Sequence, residues 1–114
     1  MAIRGKSARD KGNQYERKIV IECKQLGFKK ALTSRNESKT KDDAKVDLCF
    51  TDPFNIQCKA VEKLGSYFDI LDSMPKDENY NVIFHKKNFK GEIVVLRKED
   101  FYEIIKMLKT EKII

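Results

Sequence analysis

Apolar and polar positions alternate most regularly over residues 45–63, KVDLCFTDPFNIQCKAVEK. Val46, Leu48 and Phe50 alternate with Asp47 and Cys49; further on, Ile56, Cys58 and Ala60 alternate with Gln57 and Lys59. A period of two sends successive side chains to opposite faces of a strand. The stretch therefore predicts two short strands with Asp47, Gln57 and Lys59 on a common polar face. Asp52-Pro53 supplies the turn between them, with proline presetting φ at a corner position. In an antiparallel pair joined by an odd-length loop, Asp47 would lie across from Gln57 or Lys59. An acid, an amide and an amine converging on one face of so apolar a strand pair mark it as the candidate working centre.

The elements around it follow from the same patterning. A first helix is predicted from about Asn13 to Leu26, stopped by Gly27 as a left-handed cap. At ~100° per residue, Tyr15, Ile19, Val20, Cys23 and Leu26 fall within one apolar arc, and Glu16 falls inside it. A carboxylate on a buried stripe needs an explanation, because an unpaired buried charge is costly. Two readings stand. Asn13 as N-cap and Glu16 at N3 form a capping-box pattern that would turn Glu16 back to the helix end. Alternatively, Glu16 points across to the polar sheet face and helps hold a metal.

Residues 29–33 predict a further strand and residues 34–45 a polar loop. After the strand pair, Ser66 and Asp69 repeat the cap pattern ahead of a short helix ending near Met74-Pro75. Residues 80–85 and 92–97 are β-rich, with a turn between them. Phe101, Ile104, Ile105 and Leu108 then define a one-sided final helix. The expected order is αβββαββα, an α/β fold with a mixed central sheet flanked by helices. Residues 1–11 are expected to form a flexible basic arm and residues 12–114 a single domain.

Charge adds a direction to this plan. Residues 1–45 carry 13 Lys and Arg against 6 Asp and Glu, whereas residues 46–114 carry 11 against 12. The positive excess thus lies wholly in the first part of the chain, as a phosphate-binding surface would require, or as a merely solvated surface would allow. The candidate contacts are Arg4, Lys6, Arg9 and Lys11 in the arm and Arg35, Ser38, Lys39 and Lys41 in the loop. Three cysteines without a CxxC spacing read as reduced thiols. No apolar run approaches a membrane span, which predicts a soluble, cytoplasmic protein without a membrane partner. The single histidine, His85, has no motif around it, so His-pair metal sites and histidine-based nucleophile sets have no support.

What remains is oxygen chemistry. Phosphodiester cleavage uses a divalent metal to activate water and stabilise charge on phosphate oxygens. Mg²⁺ takes oxygen ligands and keeps several waters, so a few protein donors suffice. Glu16 and Asp47 would give carboxylates, Gln57 its side-chain carbonyl and Cys58 its backbone carbonyl. Lys59 would position the attacking water or stabilise developing negative charge.

The pattern D-x₉-QxK, read with the upstream helix, resembles the PD-(D/E)xK nuclease superfamily in its variant with Gln for the second acid. KGNQYERKIV, followed by LGF, is similar to the first helix of archaeal-type Holliday junction resolvases. Arg35 and Ser38 stand where that group tends to carry a basic residue and a serine. VIFHKKNFKGEIVVLRKEDFYEII is similar to small phage-type endonucleases of the same superfamily. The resemblance runs from Lys11 to about Ile105. It implies a restriction-endonuclease-like core, Mg²⁺-dependent (or Mn²⁺-dependent) DNA cleavage directed at branched DNA such as four-way junctions, and a homodimer. It maps Glu16, Asp47, Gln57 and Lys59 onto the catalytic positions. Two departures stand out: Val46 replaces a frequent Pro, and neutral Gln57 removes one formal charge from the site. Two alternatives follow, a non-catalytic nucleic-acid-binding module of the same fold, or a nuclease acting on DNA ends, flaps or duplex sites.

Overall fold

In the computed structural model, which describes residues 3–114, the first helix begins well before Asn13. It is α1, Ile3–Gln25. Lys, Arg and Ala dominate residues 4–11 and favour helix, and Gly12 in its interior costs only about 1 kcal/mol relative to Ala. Residues 3–11 of the stretch expected as an arm therefore form the leading part of this helix, and residues 1–2 lie outside the described residues. Its other end is as predicted. Gly27 takes φ 112°, the Phe28 N–H donates to Cys23 O at 3.0 Å and the Gly27 N–H to Lys24 O at 3.1 Å. These two bonds form a Schellman stop, which glycine permits because it lacks a Cβ. Leu26, expected on the apolar stripe, is instead the exposed residue at this stop.

Two short elements follow where a loop is expected. After β1 (Leu32–Thr33) come α2 (Ser34–Glu37) and α3 (Lys39–Asp43). Ser38 caps α3, its hydroxyl accepting from the Lys41 N–H at 3.3 Å. The remaining elements are β2 (Leu48–Cys49), β3 (Phe54–Lys59), α4 (Tyr67–Ser73), β4 (Tyr80–Lys87), β5 (Gly91–Val95) and α5 (Lys98–Thr110).

The three longer strands form a mixed sheet in the order β3-β4-β5. β3 and β4 are parallel, in the register Ile56↔Val82 and Lys59↔His85, and are connected through α4. β4 and β5 are antiparallel. The chain is thus an α/β fold with a three-stranded mixed sheet flanked by helices.

The expected β2–β3 hairpin differs. β2 pairs antiparallel with β1, Leu32 opposite Cys49 and Thr33 opposite Leu48, in a separate two-stranded sheet. Lys45 and Phe50 both take positive φ, 65° and 63°, so the chain bends on either side of residues 46–49 and leaves only a short extended piece. One link to β3 survives: the Asp47 N–H donates to Ile56 O at 2.8 Å. The turn around Pro53 is tied by Thr51, whose hydroxyl donates to Phe54 O at 2.8 Å.

Alternation along β3 and β4 divides the core in two. Ile56 and Val82 pack with Tyr15, Ile19, Val20 and Cys23 of α1. On the other face Ile83 packs with Leu71 and Met74 at the C-terminal end of α4. Fully burying a side chain such as Ile19 or Ile83 contributes about 1.5–3 kcal/mol, so these two contacts fix which helix covers which face. No helix among the described residues is long and apolar enough to cross a membrane.

Candidate functional site

The site builds outward from the free edge of β3. Asp47 lies beside this edge, held from three directions. Its N–H donates to Ile56 O, its carbonyl accepts from the Ser34 N–H at 2.8 Å, and its Oδ2 accepts from the Cys58 N–H at 2.7 Å. Buried Ser34 adds a fourth tie by donating its hydroxyl to the carbonyl of the preceding residue, Val46. The N–H and C=O of one residue in an extended strand point to the same side. The Cys58 carbonyl, expected as a ligand, therefore shares the edge at which Asp47 is fastened.

Glu16 reaches this place from α1. Because the helix starts at Ile3, Asn13 is an interior residue and no capping box forms; the local explanation for Glu16 is removed. Burial pushes Glu16 up to about 7, the Asp47 charge adds to the rise, and Arg35 opposes it. Arg35 Nε stands 3.7 Å from Glu16 Oε1. That is a loose ion pair, too long for a hydrogen bond. Asp47 is itself raised above its ordinary range, chiefly by burial. The Cys58 N–H and the charges of Lys59 and Arg35 pull it down, and Asp42 pushes it up. The Cys58 thiol is driven up by burial, with Asp47 and Glu16 next in effect. Two carboxylates thus act on one half-buried spot, with Asp42 of α3 contributing to both.

Gln57 and Lys59 occupy the opposite face of β3 from Ile56 and Cys58, since their register partners are Ile83 and His85. This is the α4 side of the sheet. Gln57 is only 6% exposed, and its Oε1 is buried without a hydrogen-bond partner. Lys59 is half-buried and exerts its charge on Asp47. The four expected residues are therefore distributed around the β3 edge rather than gathered on one sheet face. The Asp47 charge acts on Glu16, Lys59 acts on Asp47, and Gln57 is placed by alternation. Among the described residues, no three or more His, Cys, Asp or Glu side chains converge as a ready ligand cluster.

The expected DNA-contacting residues divide. Arg9 and Lys39 are exposed, and Lys11 and Lys41 are half-buried. Arg35 faces Glu16, and Ser38 serves as a helix cap. The side chains of Arg4 and Lys6 lie outside the described part of the structure. His85 is structural: it is buried, its Nε2–H donates to Val61 O at 2.8 Å, and Nδ1 accepts from the Tyr67 hydroxyl at 2.8 Å. A carbonyl can only accept, so Nε2 carries a proton, and in the neutral ring Nδ1 is then the acceptor.

Sequence patterning misses Ser34, whose two bonds hold the Asp47 segment, because a serine opening a polar loop carries no periodic signal. It also misses the Cys58 N–H as the partner of Asp47. Comparison with known proteins finds no family model, no curated protein and no solved structure that matches this chain.

Proposed function

We propose that the chain is a divalent-metal-dependent endonuclease of the PD-(D/E)xK type, hydrolysing phosphodiester bonds in branched DNA such as four-way junctions. The observation that supports this best is the coupling of Glu16 to Asp47 at the edge of β3. Burial raises both groups above their ordinary range, and the Asp47 charge raises Glu16 further. A cation is the partner that would relieve both.

The donor set fits a hard, oxygen-preferring ion such as Mg²⁺ or Mn²⁺. Asp47 keeps one carboxylate oxygen beyond the bond to Cys58, Glu16 has a half-buried carboxylate, and the Cys58 carbonyl shares the edge. The buried, unpartnered Gln57 Oε1 is an acceptor in want of a donor or cation. Bound there, the ion would supply an activated water and charge stabilisation on the phosphate. Asp47 orients, because its backbone and side chain are tied to β3. Lys59 places a positive charge near that carboxylate, suited to stabilising negative charge on a phosphate. The exposed cations of α1 and α3 supply sequence-independent backbone contacts.

Calorimetric titration with Mg²⁺ and Mn²⁺ tests the site. Saturable binding by the parent chain, lost in Asp47→Asn and weakened in Glu16→Gln, supports the reading; no binding by the parent removes it.

One observation favours a second reading. Arg35 already stands beside Glu16 and partly neutralises it. A nucleic-acid-binding module without catalysis would keep such an arrangement. It would bind DNA in a salt-sensitive manner with no divalent requirement.

A further inference from the structure

Alternation carries the α1 face of the sheet from Ile56 and Cys58 to Ala60, and on β4 from Val82 and Phe84 to Lys86. The apolar contact with α1 ends there. Lys11, Gln14, Tyr15 and Lys18 recur at i, i+3, i+4 and i+7 on one face of α1. With Ala60 and Lys86 they line a cavity of about 200 Å³. Neither Asp47 nor Glu16, Gln57 or Lys59 lines it.

Three ammonium groups from two elements therefore border one small cavity, where they repel one another. Lys18 Nζ is engaged by Glu92 Oε2 at 2.7 Å. Lys86 stands opposite Glu92 in the β4–β5 register, yet among the described residues neither Lys86 nor Lys11 forms an ion pair. Set against Glu92, the three lysines leave two positive charges in excess. Tyr15 adds an unsatisfied donor. It is 2% exposed, and its hydroxyl is buried without a hydrogen-bond partner. Burial and then the charge of Glu92 keep that hydroxyl protonated, while Glu92 itself is held by Lys18. Unpaired cations and an unpartnered donor at one cavity call for an anion with several acceptor oxygens.

We propose that this cavity binds a phosphate monoester, the phosphate of a nucleotide or of a nucleic-acid end. Such a group carries about −1.5 to −2 charge at pH 7 and three acceptor oxygens, which matches the charge excess and the three lysines. A backbone phosphodiester brings a single charge and would leave one positive charge unmatched. Lysine meets phosphate as a point charge, so the three ammonium groups need no fixed fork. The inference does not rest on the nuclease reading, because the cavity needs no metal. Ala60 also lies two residues beyond Cys58, about 7 Å along the strand from the bond that fastens Asp47.

The test is an amide-resolved NMR titration of the full chain in chelator, so that no divalent ion contributes. The probes are deoxyadenosine monophosphate and a pentanucleotide with a terminal phosphate; the controls are deoxyadenosine and the same pentanucleotide without it. Both phosphorylated probes should give saturable shifts at Lys11, Gln14, Lys18, Ala60 and Lys86. Lys11→Gln and Lys86→Gln should each weaken binding by about tenfold, and Lys86→Arg should restore most of it. Lys30→Gln removes an exposed charge outside the cavity and should leave affinity unchanged. Tighter binding of the mononucleotide assigns a free nucleotide, and tighter binding of the phosphorylated pentanucleotide assigns a nucleic-acid end; either sustains the proposal. The spectra themselves report whether each variant is folded, and failure of Mg²⁺ to bind at Asp47 would leave the result untouched. No saturable shift, equal affinity for the two pentanucleotides, or an equal loss in Lys30→Gln overturns the proposal.

Discussion

The Asp47 carboxylate is fastened to the edge of β3 by the Cys58 N–H, 2.7 Å from its Oδ2. This single bond joins the acid of the bent segment after α3 to the strand that carries Gln57 and Lys59. It also separates what the side chain does for the fold from what its charge does for chemistry. Asp47→Ala removes the acceptor and strands a backbone donor, and should cost about 1–3 kcal/mol in urea denaturation. Asp47→Asn keeps an oxygen for Cys58 and removes a charge that burial disfavours. Its stability should lie within about 1 kcal/mol of the parent while metal binding is lost.

Glu16 gives the chain a pH dependence of predictable sign. In the folded chain it titrates at about 7, above its ordinary 4.5. Between those values the folded state holds a proton that the unfolded state has released. For this group, stability is therefore greatest below the lower value and falls as pH rises through the window. Glu16→Gln, which cannot ionise, should be more stable than the parent at pH 8 and should lose that advantage at pH 4, as read by denaturation at both pH values.

Gln57 separates structural burial from ion binding. Its Oε1 has no partner, so Gln57→Met should change stability by no more than about 1 kcal/mol without metal. Gln57→Glu introduces a buried charge and should lower the melting temperature in chelator. Mg²⁺ should recover that loss in Gln57→Glu and should not stabilise Gln57→Met. Equal responses of both variants to Mg²⁺ would place Gln57 outside the ion's reach.

Gly27 closes α1 at φ 112°, a conformation that a side chain strains even though the surrounding space is open. Gly27→Ala should destabilise the fold by about 1–2 kcal/mol in urea denaturation and leave metal affinity intact. A neutral result would mean that the Schellman stop does not hold the end of α1.

Elements with strong periodicity are readable from the sequence: the apolar stripe of α1 from Tyr15 to Cys23, the β3 alternation, β4, and the one-sided α5. Patterning fails where one residue's backbone decides. Lys45 and Phe50 turn left-handed without being glycine, which shortens β2 and removes the expected hairpin. The start of α1 is expected too late because Asn13 looks like a cap, although the residues before it favour helix. Within the site, the half-buried position of Glu16 beside Tyr15 and Ile19 follows from the helix stripe. The hold of Ser34 on the Asp47 segment does not, because it depends on contacts between residues far apart in sequence. Arg35 is expected to face phosphate, and its position beside Glu16 arises from the unforeseen α2.

The most direct measurement of cleavage incubates end-labelled four-way junction and linear duplex with the parent chain and Mg²⁺. The junction should be cut in preference to the duplex, and only with the divalent ion present. Asp47→Asn and Lys59→Ala should each reduce the rate by about 100-fold or more. An inactive parent, or variants that cut as fast as the parent, would contradict the assignment of Asp47 and Lys59 to a catalytic centre.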